Sequence, residues 1–486
     1  MVVIGCGGDS SAEGTASATQ ADASADGTGS DDHAETGPGN PTSGATSGAT
    51  STADSSDDDD LPPDEGPKFD VAGTPDGGWG ECGKPPAPDA TLKGTVYGPN
   101  GVIPVGGALV YVSEDEPAGI PQEVYCTDCT VLGCDDQSTF TEADGSFTLP
   151  AVSGAGKYLV VQKGQFMRIQ PLNVSPGETQ LQAAITTLPA ENDPDAGEYI
   201  PRIAVGYASY DRLEDALGKF GLGDTVISAM EERLVPGTET FDMWDNGSNP
   251  STAGFTSQGS FSELVADPDA LAQYHIIFVP CTNDTYVTAL SVPENVQNIR
   301  DWVAAGGRWY VADWSNEWLM MVFPEYQELA GWSGSVGSAD NSSYDSLASI
   351  LDPDLLEWLD ALPPALKDIN PLNNEAHPTL NELPMVLTVD NWSGITAINP
   401  VLVDDDNGNP VDVGHKVWLE GPGGDPVADH PLTVTGQFGC GKIQFTSYHA
   451  AEFSLAYTGL SPQELVLVYT ILEIGTCQEP LPPPEG

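Results

Sequence analysis

From Thr91 onward the chain is built of short alternating runs. Leu92, Gly94 and Val96 alternate with polar neighbours, as do Ala108, Val110 and Val112, then Phe147 and Leu149. A period of two turns one face of each run toward a core and the other toward water, the pattern of half-buried strands. Asn100-Gly101 and Asp144-Gly145 separate the runs; both pairs tolerate positive φ and favour tight turns. Residues 90–190 are therefore expected to form an all-β sandwich.

Past Tyr199 the period changes. "IPRIAVGYASY", "YHIIFVPC" and "RWYVAD" read as short strands, the second continuously apolar. Between them lie stretches of helical period. Asp211 is placed to cap the first helix, with Glu214 three residues later and Leu213, Leu217 and Phe220 on one face. Ser291 and Glu294 have capping-box spacing, ahead of an apolar stripe of Val292, Val296, Ile299 and Val303 that ends at Gly306-Gly307. Ser461-Pro462-x-Glu464 precedes a last helix, apolar almost all round and so expected to be buried. Strand–helix alternation argues for a mainly parallel sheet covered by helices. A further helix is expected over Asp352–Leu362, and a hairpin turning at Asn407-Gly408.

The ends of the chain read differently. Residues 7–89 are mostly Ser, Thr, Ala, Gly and Asp, with Asp57-Asp58-Asp59-Asp60 near the middle. Such a segment buries too little to offset its ordering entropy, so a disordered tether with an r.m.s. span of about 50 Å is expected. Residues 478–486 are expected to form a disordered tail. Charge narrows the partners. With 15 Lys and Arg against 73 Asp and Glu, the formal charge is −58, which opposes binding to nucleic acid or to anionic lipid through basic patches.

The eight cysteines are Cys6, Cys82, Cys126, Cys129, Cys134, Cys281, Cys440 and Cys477. Cys126, Cys129 and Cys134 cluster, and Cys82 would complete a set of four. Zinc is one use of such a set, but an oxidising compartment favours two disulfides among the four. Cys440 is expected to pair with Cys477, leaving Cys281 a buried thiol. No metal or cofactor is expected.

Three resemblances sharpen this reading. Val3-Ile4-Gly5-Cys6 (residues 1–6) resembles the end of a bacterial lipobox, with a start codon assigned late and Cys6 the lipidated residue. Gly7 after it resembles the outer-membrane sorting signal, implying a lipid-anchored protein at the outer membrane or surface of a Gram-negative bacterium. "LKGTVYGPNGVIPVGGALVYV" with "TFTEADGSFTLPAV" resembles the carboxypeptidase regulatory-like domain, a non-catalytic transthyretin-like sandwich. Residues 199–477 are similar in element order to the class I glutamine amidotransferase-like superfamily, including its ThuA-like branch, with a flavodoxin-like sheet and an inserted α+β segment at 331–437. That overlay implies a nucleophile position at Asp313, where the family carries cysteine, and a histidine-bearing strand ending at His449. His449 is followed by Ala450-Ala451-Glu452 rather than Pro-Glu, and Cys281 falls one strand too early. Amidotransferase chemistry is therefore not implied.

Three functions follow. The first is a binding protein for a small molecule or cell-envelope glycan, using Asp313, Trp314, Ser315 and His449. The indoles of Trp302, Trp309, Trp314 and Trp318 offer stacking faces there, although each also suits a core. The second is a hydrolase using Asp313, Ser315 or Cys281 with His449 and Glu452. The third is a structural surface or adhesion protein. Binding is favoured over catalysis, because the overlay delivers no nucleophile with an adjacent base.

Overall fold

The computed structural model describes residues 87–484, except 127–129, 131, 133–135, 209, 229–230, 283–284, 336–342, 368–369, 372–379, 381, 406, 424–427, 452–456 and 477–480. The expected tether and tail, and Cys6, Cys82, Cys129, Cys134, Glu452 and Cys477, lie largely or wholly outside that set. The fold is multi-sheet and rich in strand.

The first region holds two sheets. Ala90–Thr95 lies between Ser146–Ala151 and Gly177–Gln180. Its side chains alternate between buried and half-buried, as its period-two pattern requires. Leu92 faces Leu149, and Gly94 faces Phe147. A Cβ on Gly94 would stand 2.7 Å from the Phe147 ring, so only glycine fits. The second sheet has the order Gln137–Phe140, Leu109–Ser113, Gly154–Lys163, Phe166–Val174, Glu198–Tyr199. Val110 and Val161 of this sheet share a core with Leu92 and Leu149 of the other. Gly101 and Gly145 adopt φ of 71° and 76°, at the two turns expected there. The closing strand, Glu198–Tyr199, pairs with Phe166–Val174, so the region runs past residue 190.

The second region is organised by a ten-stranded sheet. Its order is Ser257–Ser260, Asp242–Asp245, Ile203–Tyr207, Ile276–Val279, Arg308–Ala312, Gly441–Thr446, Asp429–Phe438, Lys416–Pro422, Tyr344–Ile350, Met385–Asn391. The first six strands are parallel, and the last four join antiparallel. The central strands Ile276–Val279 and Arg308–Ala312 are buried at every residue, which explains their unbroken apolar runs. Residues 331–437 do not stand apart as an insertion. They supply the antiparallel half of the same sheet, together with the Pro353–Ala361 helix and the Leu402–Asp404/Pro410–Asp412 hairpin.

Two helix starts differ from expectation. The Leu213–Phe220 helix has Arg212 at its N-cap, with no side-chain cap, because the Asp211 carboxylate is used elsewhere. The Pro293–Ala304 helix begins after Val292, likewise uncapped, and the Ser291 hydroxyl turns back to Thr288 O. The Ser461/Glu464 capping box forms as expected. Trp302, Trp309 and Trp318 pack in the core on one side of the sheet, so three of the four indoles are structural.

The cysteine expectations are overturned. Cys126 joins Cys440 across 314 residues, so the four clustered cysteines do not close two bridges among themselves and Cys440 does not pair with Cys477. Cys281 is disulfide-bonded rather than a thiol. The cause is tertiary. The segment before Cys126 leaves the small sheets and runs over the large one, where Val124 N–H donates to Ala272 O at 2.8 Å. A His275 ring nitrogen lies 3.0 Å from Glu123 O. This path carries Cys126 to the turn at Cys440, a neighbour invisible to local spacing.

Candidate functional site

Strand order reverses beside Ile203–Tyr207. The chain steps outward from it to Asp242–Asp245 and Ser257–Ser260, then returns to its other side with Ile276–Val279. The loops that follow Ile203–Tyr207, Ile276–Val279, Arg308–Ala312 and Gly441–Thr446 therefore meet at one edge. Ligands of open α/β sheets sit at such an edge.

Asp313 begins the turn after Arg308–Ala312 with φ of 50°, a left-handed conformation that aspartate tolerates better than most residues but still at a cost. Its Oδ1 accepts the Trp392 N–H at 2.8 Å and the Ser393 hydroxyl at 3.3 Å. Its Oδ2 lies 3.3 Å from His449 Nε2, and both side chains are fully buried. The Gln463 amide holds the His449 carbonyl at 2.8 Å. Burial pushes the Asp313 carboxyl well above its usual range, outweighing the Trp392 and Ser393 hydrogen bonds. Burial likewise lowers His449 to about 4, against the opposing pull of Asp390. Both effects favour the uncharged acid beside the uncharged imidazole.

Asp211 is the hub beneath this pair. Its carboxylate accepts the N–H groups of Ala450 at 3.0 Å and Ala451 at 2.8 Å, and a third from the backbone of Cys281. One side chain thus ties three of the four loops together. Burial raises it to about 7 even so. Ser315 holds the fourth loop through its hydroxyl, which donates to Pro280 O at 2.7 Å. Thr282 does the same for the neighbouring strand end, donating to Asn246 O at 2.5 Å. Two buried amides at this edge, Asn246 and Asn316, have both polar side-chain atoms unpaired. Unmade hydrogen bonds of this kind are rare in buried positions.

Trp314 and Trp392 stack with ring centroids 5.5 Å apart and planes 9° from parallel. With Cys281 and Tyr210 they form a small apolar cluster at the edge. Ligand atoms of Cys281, Asp313 and His449 lie within 4.8 Å of one another. The Cys281 sulfur, however, is committed to a disulfide and offers no thiolate to a metal or a substrate.

Of the residues named from sequence, Asp313, Trp314, Ser315, Cys281 and His449 come together, while Glu452 lies outside the described residues. Asp211, Asp390, Trp392 and Ser393 were not foreseen. Asp211 had the look of a helix cap. The others come from residues 331–437, which no local pattern links to Asp313.

No family of known proteins matches this sequence, and no curated protein matches it. Among solved structures, a cytoplasmic protein from Salmonella typhimurium is 12% identical, covering 57% of this chain and 99% of its own, with a TM-score of 0.25. A mutant type II cohesin–X-dockerin complex from Acetivibrio cellulolyticus is 14% identical, covering 29% of this chain and 78% of that one, with a TM-score of 0.15. Likenesses at these scores carry no argument about fold or function.

Proposed function

We propose that this chain is a lipid-anchored extracytoplasmic binding protein, a transthyretin-like sandwich joined to an amidotransferase-like α/β domain. Its ligand is an uncharged polyhydroxyl compound, a sugar or cell-envelope glycan, bound at the edge formed by Asp313 and His449. The observation that carries this reading is the Asp313–His449 pair, 3.3 Å apart and fully buried, on a backbone held at positive φ. Strain at a buried carboxylate persists when the surrounding structure enforces it for a purpose. A pair driven toward its uncharged form suits hydroxyl groups, which both donate and accept, and the unpaired amides of Asn246 and Asn316 extend the same chemistry. The Trp314–Trp392 stack lies at the same edge, and Trp392 N–H is held by Asp313, so binding there should change indole fluorescence. A screen of glycans and small metabolites against the full chain tests this. A binder whose affinity falls at least tenfold in Asp313→Asn supports it, and the absence of any binder that depends on Asp313 overturns it.

A hydrolase is the second reading, favoured by the closeness of Cys281, Asp313 and His449. It requires reduction of the Cys281 disulfide to release a nucleophile. Turnover of an ester, amide or glycoside that appears on reduction, and is lost in both Asp313→Asn and His449→Ala, would replace binding by catalysis.

A further inference from the structure

Three adjacent parallel strands, Ile276–Val279, Arg308–Ala312 and Gly441–Thr446, each deliver a residue of metal-ligand type to the loop that follows. Those residues are Cys281, Asp313 and His449. Their ligand atoms lie within 4.8 Å of one another, and all three are buried. Asp313 Oδ2 stands 3.3 Å from His449 Nε2, yet it accepts no hydrogen bond from that ring or from any other described group. A fully buried carboxylate oxygen left in this way is uncommon. The other oxygen is already used. Oδ1 takes the Trp392 N–H and the Ser393 hydroxyl, which fixes the carboxylate and leaves Oδ2 turned toward His449.

This spacing suits an ion better than a hydrogen bond. At the bond lengths of a tetrahedral zinc-like ion, nitrogen and oxygen ligands stand about 3.3 Å apart, and sulfur about 3.6 Å from either. The Asp313–His449 separation already fits. Cys281 is tied up in a disulfide. Once freed, its sulfur has at most about 1.2 Å to close, within reach of a rotation about Cα–Cβ. Charge agrees with this. One thiolate and one carboxylate neutralise a divalent ion, and imidazole adds no charge, so the filled set brings no net charge into the buried edge. The hydrogen bonds of Trp392 and Ser393 to Asp313, and the hold of Gln463 on the His449 carbonyl, are outer contacts of the kind that orient metal ligands.

We propose that this edge is a redox-gated site for a divalent ion of the zinc type, with Cys281 Sγ, Asp313 Oδ2 and His449 Nε2 as ligands. While the disulfide stands, the sulfur supplies no thiolate. A dithiol reductant opens it, leaving two thiols on the protein and its own cyclic disulfide. The ion then displaces the Cys281 thiol proton to water and bonds the thiolate. The inference stands whether or not a polyhydroxyl ligand binds at the same edge of the oxidised protein.

The test uses the full chain, with Co²⁺ as a spectroscopic stand-in for zinc. The protein is reduced with a phosphine in the absence of oxygen, freed of reductant, and titrated in parallel with the oxidised protein. Reduction frees other thiols too, Cys126 and Cys440 among them, so the measure is a difference. The reduced parent should take up one equivalent of Co²⁺ more than reduced Cys281→Ser, with a thiolate-to-cobalt band in the near ultraviolet, and Zn²⁺ should displace it. Asp313→Asn and His449→Gln keep every cysteine, and each should weaken that equivalent about tenfold or more. The oxidised parent should lack it. Equal binding by the reduced parent and Cys281→Ser would overturn the proposal, as would undiminished binding in both Asp313→Asn and His449→Gln. Uptake of the same equivalent by the oxidised parent would remove the redox gate. The proposal also fails if the reduced chain loses its near-ultraviolet circular dichroism, because no ligand set would then survive reduction.

Discussion

Replacing Asp211 by asparagine should make the protein's stability less dependent on pH between 4 and 7. Asp211 is fully buried and accepts three backbone N–H groups, two of them from Ala450 and Ala451, yet burial raises its carboxyl from 3.8 to about 7. In the unfolded chain the same group ionises near its ordinary value. Between those values the folded state holds a proton that the unfolded state has released. Its contribution to stability is therefore complete below pH 4 and is lost as pH rises through 7. The gap corresponds to on the order of 4 kcal/mol. Asparagine keeps one oxygen to accept from Ala450 or Ala451 and carries no charge to desolvate. The assay is urea unfolding of parent and Asp211→Asn at half-unit steps from pH 4 to pH 8. Glu214, Asp215 and Asp313 are also raised by burial, but they remain in both proteins, so the difference between the two curves isolates Asp211. That difference should shift by several kcal/mol in favour of the variant as pH rises from 4 to 7. A difference that stays flat across the range would refute the reasoning, because Asp211 would then be ionised in the folded state throughout.

Three further outcomes are expected. Lys219→Met should cost about 3–5 kcal/mol in urea unfolding, because Lys219 and Glu464, 2.8 Å apart with side chains 6% and 0% exposed, would leave Glu464 buried without its cation; a loss under 1 kcal/mol would show the pair to be dispensable. Cys126→Ser with Cys440→Ser should cost about 2–5 kcal/mol, and a non-reduced digest of the parent should yield the Cys126–Cys440 peptide; Cys440 found joined to Cys477 would contradict the fold described here. Expressed with an upstream start, the chain should partition with membranes and take up labelled palmitate through Cys6, and a soluble, unlabelled product would remove the lipid anchor from the proposed function.

How far the sequence reaches depends on the range of the interaction. Strand and turn positions are local, and they were legible. The period-two runs at Leu92 and Phe147 became paired strands, the continuous apolar runs became the buried centre of the large sheet, and Ser461 with Glu464 closed a capping box. Each is decided by residues within a few positions of one another. The same local logic misread Asp211, whose spacing suits a cap. Its carboxylate is drawn instead to amides 239 and 240 residues away. Asp313 and His449 could be named from strand ends. That Trp392 and Ser393 would hold Asp313 could not, because residues 331–437 join the large sheet through antiparallel pairing that no spacing in the chain encodes. Cysteine pairing shows the limit most plainly. Cys126, Cys129 and Cys134 are neighbours in the chain, but a disulfide needs two sulfurs brought together in space, and the passage of residues 123–126 along the large-sheet region delivers Cys126 to Cys440 instead. Composition and periodicity determine which segments become strands, helices and buried core, because burial and backbone preference act residue by residue. Which loops meet at the sheet edge, and with what strain and charge, was settled only when distant strands packed side by side.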